Sequence, residues 1–302
     1  MGVTFRNYSS IPYFSADYEL VREFLIRINA KKLYSPYLLW GAWEWAVTHK
    51  DRDNDNLGQI GLWEDSGKLV AVVTYSDKLG DAYLIVDEAY PYLKAQMVKY
   101  AKKELQNNRS INLFLYDGDV EFQRIARDEG FRPTQRTDIN TISVLDINSL
   151  QSYSLPEGYS FLSMAESWNW YQNHRVMRRS FGNETRPAYD EITIQQRMKM
   201  LSSPMINPDL VLAVIAPDGN YVSHCVLWHQ KDDYYCYVEP VATDPDYRKL
   251  GLGKAVVLEA ARRCGELGAM QAVVCSGQQF YYNIGFYPIQ TVSKWELVPI
   301  EK

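Results

Sequence analysis

Val241-Ala242-Thr243-Asp244-Pro245-Asp246-Tyr247-Arg248-Lys249-Leu250-Gly251-Leu252-Gly253-Lys254 joins a strand-like segment, 234–243, to a helix-like segment, 252–267. Its two glycines let the backbone close around a ligand, and the helix that follows turns its free N–H groups and positive dipole end toward an anion. Strand, glycine turn and helix in that order make a phosphate cradle. A Walker loop needs G-x-x-x-x-G-K-[ST], and Gly253-Lys254-Ala255 lacks both the earlier glycine and the hydroxyl that would hold magnesium. A dinucleotide fingerprint needs a third small residue where Val256 stands, and a strand running straight into its first glycine. Neither pattern is met.

On either side of this stretch, hydrophobic periodicity and turn residues predict strands at 159–162, 210–215 and 221–228 and helices at 168–180 and 191–201. After the helix at 252–267, with Gly268 as its cap, come a strand at 269–275 and a short helix at 278–283, leading into Ile284-Gly285-Phe286. The N-terminal half shows the same order. Helical patterns at 16–29, after the cap Ser15, and at 38–47 precede strand-like runs at 60–63, 69–75 and 83–86. A helix at 92–105, a strand at 111–116 and a helix at 120–128 then lead to Glu129-Gly130-Phe131. Asp65-Ser66-Gly67 matches Pro217-Asp218-Gly219, and Gly130-Phe131 matches Gly285-Phe286, so one fold is used twice. The length of 302 residues suits two domains, and the join falls where serines, Pro156 and Gly158 thin the apolar pattern, giving domains 1–148 and 149–302.

Arg248-Lys249-Leu250-Gly251-Leu252-Gly253, R-x-x-G-x-G, resembles the pyrophosphate loop of the GNAT superfamily of N-acetyltransferases. The strand ending Val241-Ala242-Thr243-Asp244-Pro245 precedes it, and Phe280-Tyr281-Tyr282-Asn283-Ile284-Gly285-Phe286 follows at the family's spacing. The resemblance covers residues 158–298, with the N-terminal half as a degenerate copy. It implies an α/β class (α+β, mixed sheet): two tandem GNAT-like domains, each a twisted, splayed mixed sheet flanked by helices. It also implies acetyl-CoA as cosubstrate, without a metal. The pantetheine would lie between the strands ending at Thr243 and Cys275, pairing with the backbone of Val241 and Thr243 as an added strand does. The cofactor-binding set it implies is Val241, Thr243, Arg248, Lys249, Leu250, Gly251, Leu252, Gly253, Lys254 and Ser276. Independently, Pro240 cannot donate to a strand ladder and so suggests a bulge, which would force the strands apart.

An alkylamine, with a reference pKa of about 10.4, is protonated near neutrality, so transfer needs a base. Glu239, on the strand face shared by Val241 and Thr243, stands where many relatives carry an acidic residue acting through water. The other reading is that it pairs with a cation or binds substrate. Tyr281, four residues before Gly285, matches the family's proton donor to the leaving thiolate; Tyr282 cannot face the same way, and a packing tyrosine is the alternative. A backbone N–H near Val241 would polarise the carbonyl. The N-terminal half departs from this pattern: Asp87-Glu88-Ala89-Tyr90-Pro91-Tyr92-Leu93-Lys94 holds no glycine, and Ala126 replaces the tyrosine. That half is expected neither to bind acetyl-CoA in this mode nor to catalyse, but to stabilise the pair or wall the acceptor pocket, as in tandem relatives of the mycothiol-synthase kind.

Hydrophobic residues at 46% and charged residues at 23% fit a globular chain. A net charge of −5 argues against a nucleic-acid partner. No apolar run approaches the roughly 20 residues of a membrane span, and no export signal opens the chain, so no membrane partner and a cytoplasmic location are expected. Cys225, Cys236, Cys264 and Cys275 lie in apolar patterns without metal-ligand spacing and read as reduced core thiols. His49, His174, His224 and His229 form no ligand spacing, and Trp40, Trp43 and Trp45 read as core. Arg175, Arg178 and Arg179 read as a solvated helix face, with an acidic acceptor or the adenosine 3′-phosphate as alternative. The expected activity is therefore transfer of acetyl to a primary amine of a small molecule or peptide, by direct attack in a ternary complex. A non-catalytic CoA-binding regulatory module and a Fem-type peptidyltransferase are the other classes; the latter does not need the pyrophosphate loop.

Overall fold

The computed structural model describes residues 2–9, 11–33, 37–75, 77–134, 140–182, 190–231 and 233–298. In chain order the first elements are β1 (Thr4–Asn7), α1 (Ala16–Asn29), α2 (Trp40–Thr48), β2 (Gly61–Asp65), β3 (Lys68–Tyr75), β4 (Asp81–Val86), α3 (Lys94–Glu104), β5 (Asn112–Tyr116), α4 (Val120–Asp128) and β6 (Phe131–Pro133). There follow β7 (Asn140–Asp146), β8 (Ser160–Ser163), α5 (Trp170–Ser180), α6 (Glu191–Met200), β9 (Val211–Ile215), β10 (Tyr221–Trp228), β11 (Tyr235–Thr243), α7 (Leu252–Glu266), β12 (Gln271–Cys275), α8 (Gln279–Asn283) and β13 (Tyr287–Leu297). The chain forms two compact units. One holds 1–142, 275–277 and 288–302; the other holds 143–274 and 278–287. The division is thus not a single cut, because the end of the chain returns to the first unit.

The first unit's sheet runs β1-β2-β3-β4-β5-β13, with β6 also on β13. Ser66 and Gly67 both take positive φ, 53° and 78°, which closes β2 onto β3 in two residues; this is the backbone a tight hairpin demands. β3 is buried from Leu69 to Tyr75, covered by Val21, Phe24 and Leu25 of α1 and by Met97, Val98 and Ala101 of α3. β3 pairs with β4 in unbroken antiparallel register from Ala71↔Val86 to Tyr75↔Ala82. β4 then pairs in parallel with β5 over only three positions, ending at Tyr83↔Phe114.

The second unit's sheet runs β8-β9-β10-β11-β12-β7. β10 is buried along its whole length, Ser223 and His224 included, as a strand covered on both faces is. α7 lays Val256, Val257, Ala260, Ala261 and Cys264 into one core with Cys225, Leu227, Cys236 and Val238. α5 covers the other face through Val176 and Met177 against Ala213 and Ala242. β11 pairs in parallel with β12 only from Tyr235↔Gln271 to Tyr237↔Val273. Each unit is therefore a mixed sheet flanked by helices, splayed after three parallel pairs. That is the fold class the sequence suggests. The strands β1, β6, β7 and β13 have no counterpart in the sequence reading.

Candidate active site

The site grows from the end of β11. Asp244, fully buried, accepts from Nε of Arg179 at 2.7 Å and lies 3.1 Å from Nη1 of Arg175; Arg179 also reaches Asp246. The backbone N–H of Asp246 donates to Asp244 at 3.1 Å. Two arginines of α5 therefore pin the turn that leaves the strand. This corrects the reading of Arg175 and Arg179 as a solvated helix face, since the buried carboxylate draws them inward.

Lys249 and Gly251 take left-handed conformations, φ 65° and 80°, and Gly251 is the N-cap of α7 without any side-chain cap. The first intrahelical bond is Ala255 N–H to Gly251 O at 2.9 Å, so the N–H groups of Leu252, Gly253 and Lys254 have no acceptor within the helix. A Cβ on Gly251 would meet no heavy atom within 4 Å, so the space beside Gly251 itself is open. A Cβ on Gly253 would come to 3.0 Å from Oγ1 of Thr243 and 3.3 Å from the Phe280 ring. The first glycine serves the backbone conformation and the second a close approach. Lys254 Nζ donates to Oε1 of Gln151 at 3.0 Å, and the Arg248 guanidinium donates to the carbonyls of Ser180 at 3.1 Å and Thr243 at 3.4 Å. Leu250 stands about half exposed.

Between Cys225↔Val241 and Leu227↔Val238 the register of β10 and β11 shifts by one residue, a bulge on β11 at Glu239–Pro240, whose peptide bond is cis. This is where Pro240 suggests it. Burial alternates along the strand end: Glu239, Val241 and Thr243 keep some exposed surface while Val238, Pro240 and Ala242 are buried. The indole N–H of Trp228 donates to the Glu239 carbonyl at 2.8 Å. Burial pushes the Glu239 carboxyl up to about 7, and no cation pairs with it among the described residues. Tyr281 on α8 is buried, edge-on to Phe280 and Phe286 with ring centroids at 5.0 and 5.4 Å. Burial, then the charge of Glu239, push its hydroxyl well above the usual tyrosine range. Tyr282, its neighbour, faces away and is part-exposed.

The structure thus gathers Glu239, Val241, Thr243, Arg248 to Lys254 and Tyr281 in the second unit. Ser276 falls in the first unit, within 275–277. The sequence does not single out Asp244, Gln151, Trp228 or Phe280. A buried Asp-Pro turn after a strand, with arginines four apart on a preceding helix, is the signal that could have found the first. Cys225, Cys236 and Cys264 are buried free thiols. His224 and His229 are buried with Nδ1 on the carbonyls of Leu212 and Tyr235, and burial pushes His224 down to about 4. Among the described residues no group of three or more His, Cys, Asp or Glu could hold a metal ion, and no helix is long and apolar enough to cross a membrane.

Residues 168–287 match the acetyltransferase (GNAT) family. Among solved structures, the GCN5-related N-acetyltransferase of Sphaerobacter thermophilus superposes with TM-score 0.60 at 15% identity, covering 99% of this chain and 97% of that one. A tandem GNAT protein from the clavulanic acid biosynthesis pathway gives 0.59 at 14%, covering 99% and 100%. A GNAT-family acetyltransferase of Colwellia psychrerythraea gives 0.59 at 11%, covering 98% and 100%. At these identities the likeness speaks for the fold. No curated protein matches the chain.

Proposed function

Because residues 168–287 match the acetyltransferase (GNAT) family within a chain of tandem GNAT fold, we propose that the protein is a cytoplasmic N-acetyltransferase moving acetyl from acetyl-CoA to a primary amine of a small molecule or peptide, by direct attack in a ternary complex. The family and fold support acyl transfer in general. The observation that carries the finer reading is the uncapped start of α7, whose first three N–H groups have no acceptor within the helix and follow an open, left-handed Gly251 at the end of a bulged, splayed strand.

The residues fit the cosubstrate. The amides of Leu252, Gly253 and Lys254, with the left-handed turn at Lys249–Gly251, suit a diphosphate. The edge of β11 at Val241 and Thr243, beyond the last pair with β12, suits the pantetheine amides. Acetyl-CoA supplies, when bound, an acetyl group activated as a thioester. Glu239 takes the proton from the amine; a carboxyl ionising at about 7 is matched to that task near neutrality. Tyr281 keeps its proton because burial opposes ionisation, so it is poised to give it to the departing sulfur. The first unit is non-catalytic in this reading. Its β3–β4 register carries no bulge, Ala126 is buried where the tyrosine would stand, and Asp87 and Glu88 are held by Arg27 and Lys32 in place of a glycine turn.

The test is thiol release from acetyl-CoA over a panel of primary amines. Release with at least one amine, falling about 10²-fold or more in Tyr281→Phe, is the expected result. CoA binding without release for any amine would leave a binding module instead.

A further inference from the structure

The acetyl-transfer reading leaves a cavity in the first unit without a role. β4 stays paired to β3 as far as Val86, but its pairing with β5 stops at Tyr83↔Phe114. Between the diverging strands lies a cavity of about 700 Å³, the size of a small-molecule site. Tyr37, Tyr83 and Phe114 form one wall as a mutually stacked triplet. Centroids are 5.1 Å apart for Tyr37–Tyr83, 5.8 Å for Tyr37–Phe114 and 5.1 Å for Tyr83–Phe114.

The charged groups on the lining are Lys94, Asp117, Asp119 and Glu121, three carboxylates to one ammonium. The ammonium is already engaged: Lys94 Nζ lies 2.9 Å from both oxygens of Asp119 and 3.2 Å from Glu121. Asp117 is different. No cation pairs with it among the described residues. Instead two neutral hydroxyls donate to it, Ser293 Oγ at 2.5 Å to one oxygen and Thr291 Oγ1 to the other. These donors orient the carboxylate without neutralising it, and each oxygen keeps a lone pair for a further donor. A polyphosphate would meet uncompensated negative charge here, whereas an ammonium would meet an oriented carboxylate beside aromatic rings.

We propose that this cavity is a binding site for a small organic cation with a flat or apolar body, an arylalkylamine in chemical class, its ammonium at Asp117 and its body against Tyr37, Tyr83 and Phe114. The site stands independently of the chemistry assigned to the second unit.

The experiment is calorimetric titration of the full chain at low salt with tyramine and 2-phenylethylamine, with 4-ethylphenol as the uncharged control. Both amines should bind, with 4-ethylphenol at least about 10-fold weaker. Asp117→Asn, an exposed and nearly isosteric change, should weaken the amines about 10-fold or more while leaving the acetyl-CoA-induced rise in Tm intact. Phe114→Leu should weaken both the amines and the control. No binding of either amine at up to about 10 mM overturns the proposal. So does amine binding that survives Asp117→Asn, or that is lost in Glu239→Gln instead, which would place the amine in the second unit. Competition of CoA with tyramine overturns it too, because it would put the nucleotide in this cavity.

Discussion

Glu239→Gln tests the electrostatics of the second unit without any assumption about the acceptor. The folded chain holds this carboxyl at about 7, against 4.5 for an exposed glutamate. Below about pH 4.5 it is protonated in both states and contributes nothing to the pH dependence. From there to about 7 the unfolded chain ionises while the folded one stays protonated, so folding loses stability as pH rises, and above 7 the full penalty remains. The difference corresponds to about 3 kcal/mol, and nearer 2 because the residue keeps some exposed surface. Gln keeps the shape and removes the titration. Relative to wild type, the variant should therefore gain roughly 4–8 °C in Tm between pH 5 and 8.5, taking roughly 2–4 °C per kcal/mol for a unit of this size. Paired thermal melts by circular dichroism over that range read it directly. A difference between the two proteins that stays flat with pH would show that the carboxyl is not held protonated by burial. With Glu239 as the proposed base, kcat/KM should rise through about pH 7 and level off.

Gly251→Asp should abolish the Tm rise caused by millimolar acetyl-CoA, since it puts a negative side chain into the open space at the start of α7 and strains a φ of 80°; an undiminished shift in melts counts against the cradle. Tyr281→Phe should leave CoA affinity by calorimetry nearly unchanged and lower kcat, and an unchanged kcat removes the hydroxyl from the chemistry. Asp244→Ala should destabilise the second unit by about 3 kcal/mol or more, read by urea denaturation, because Arg175 and Arg179 lose their buried partner. A loss below about 0.5 kcal/mol would mean that the turn is held by other contacts.

Much of this fold is legible in the chain because its central elements carry strong local signals. α7 announces itself by Gly251 at its start and an apolar stripe through Val256, Ala260 and Cys264, β9 by a continuous apolar run, and β10 by the run Cys225 to Trp228. β13 does not: its first four residues are exposed, its buried positions Val292 and Trp295 are three apart, and alternation fails. β7 is written in seven residues, and its apolar positions Ile142, Val144 and Leu145 lack a clean period. Both take their meaning from partners distant in sequence, as β13 does on β5, and local patterning cannot name such partners. The glycine turn before α7 and the bulge at Pro240 were readable because each is a local exception: glycines before a helix and a proline inside a strand. The Asp244 anchor was not, because an arginine pair on α5 looks solvated until the turn it holds is placed 65 residues away. The first unit's cavity was hidden for the same reason, since it exists only where β4 and β5 part.

The most direct test of the account is a crystal structure of the full chain soaked with CoA. The account predicts the diphosphate against the backbone N–H groups of Leu252, Gly253 and Lys254, with the pantetheine running along the edge of β11 toward Tyr281. Density for the diphosphate away from that turn, or in the cavity between β4 and β5, would contradict it.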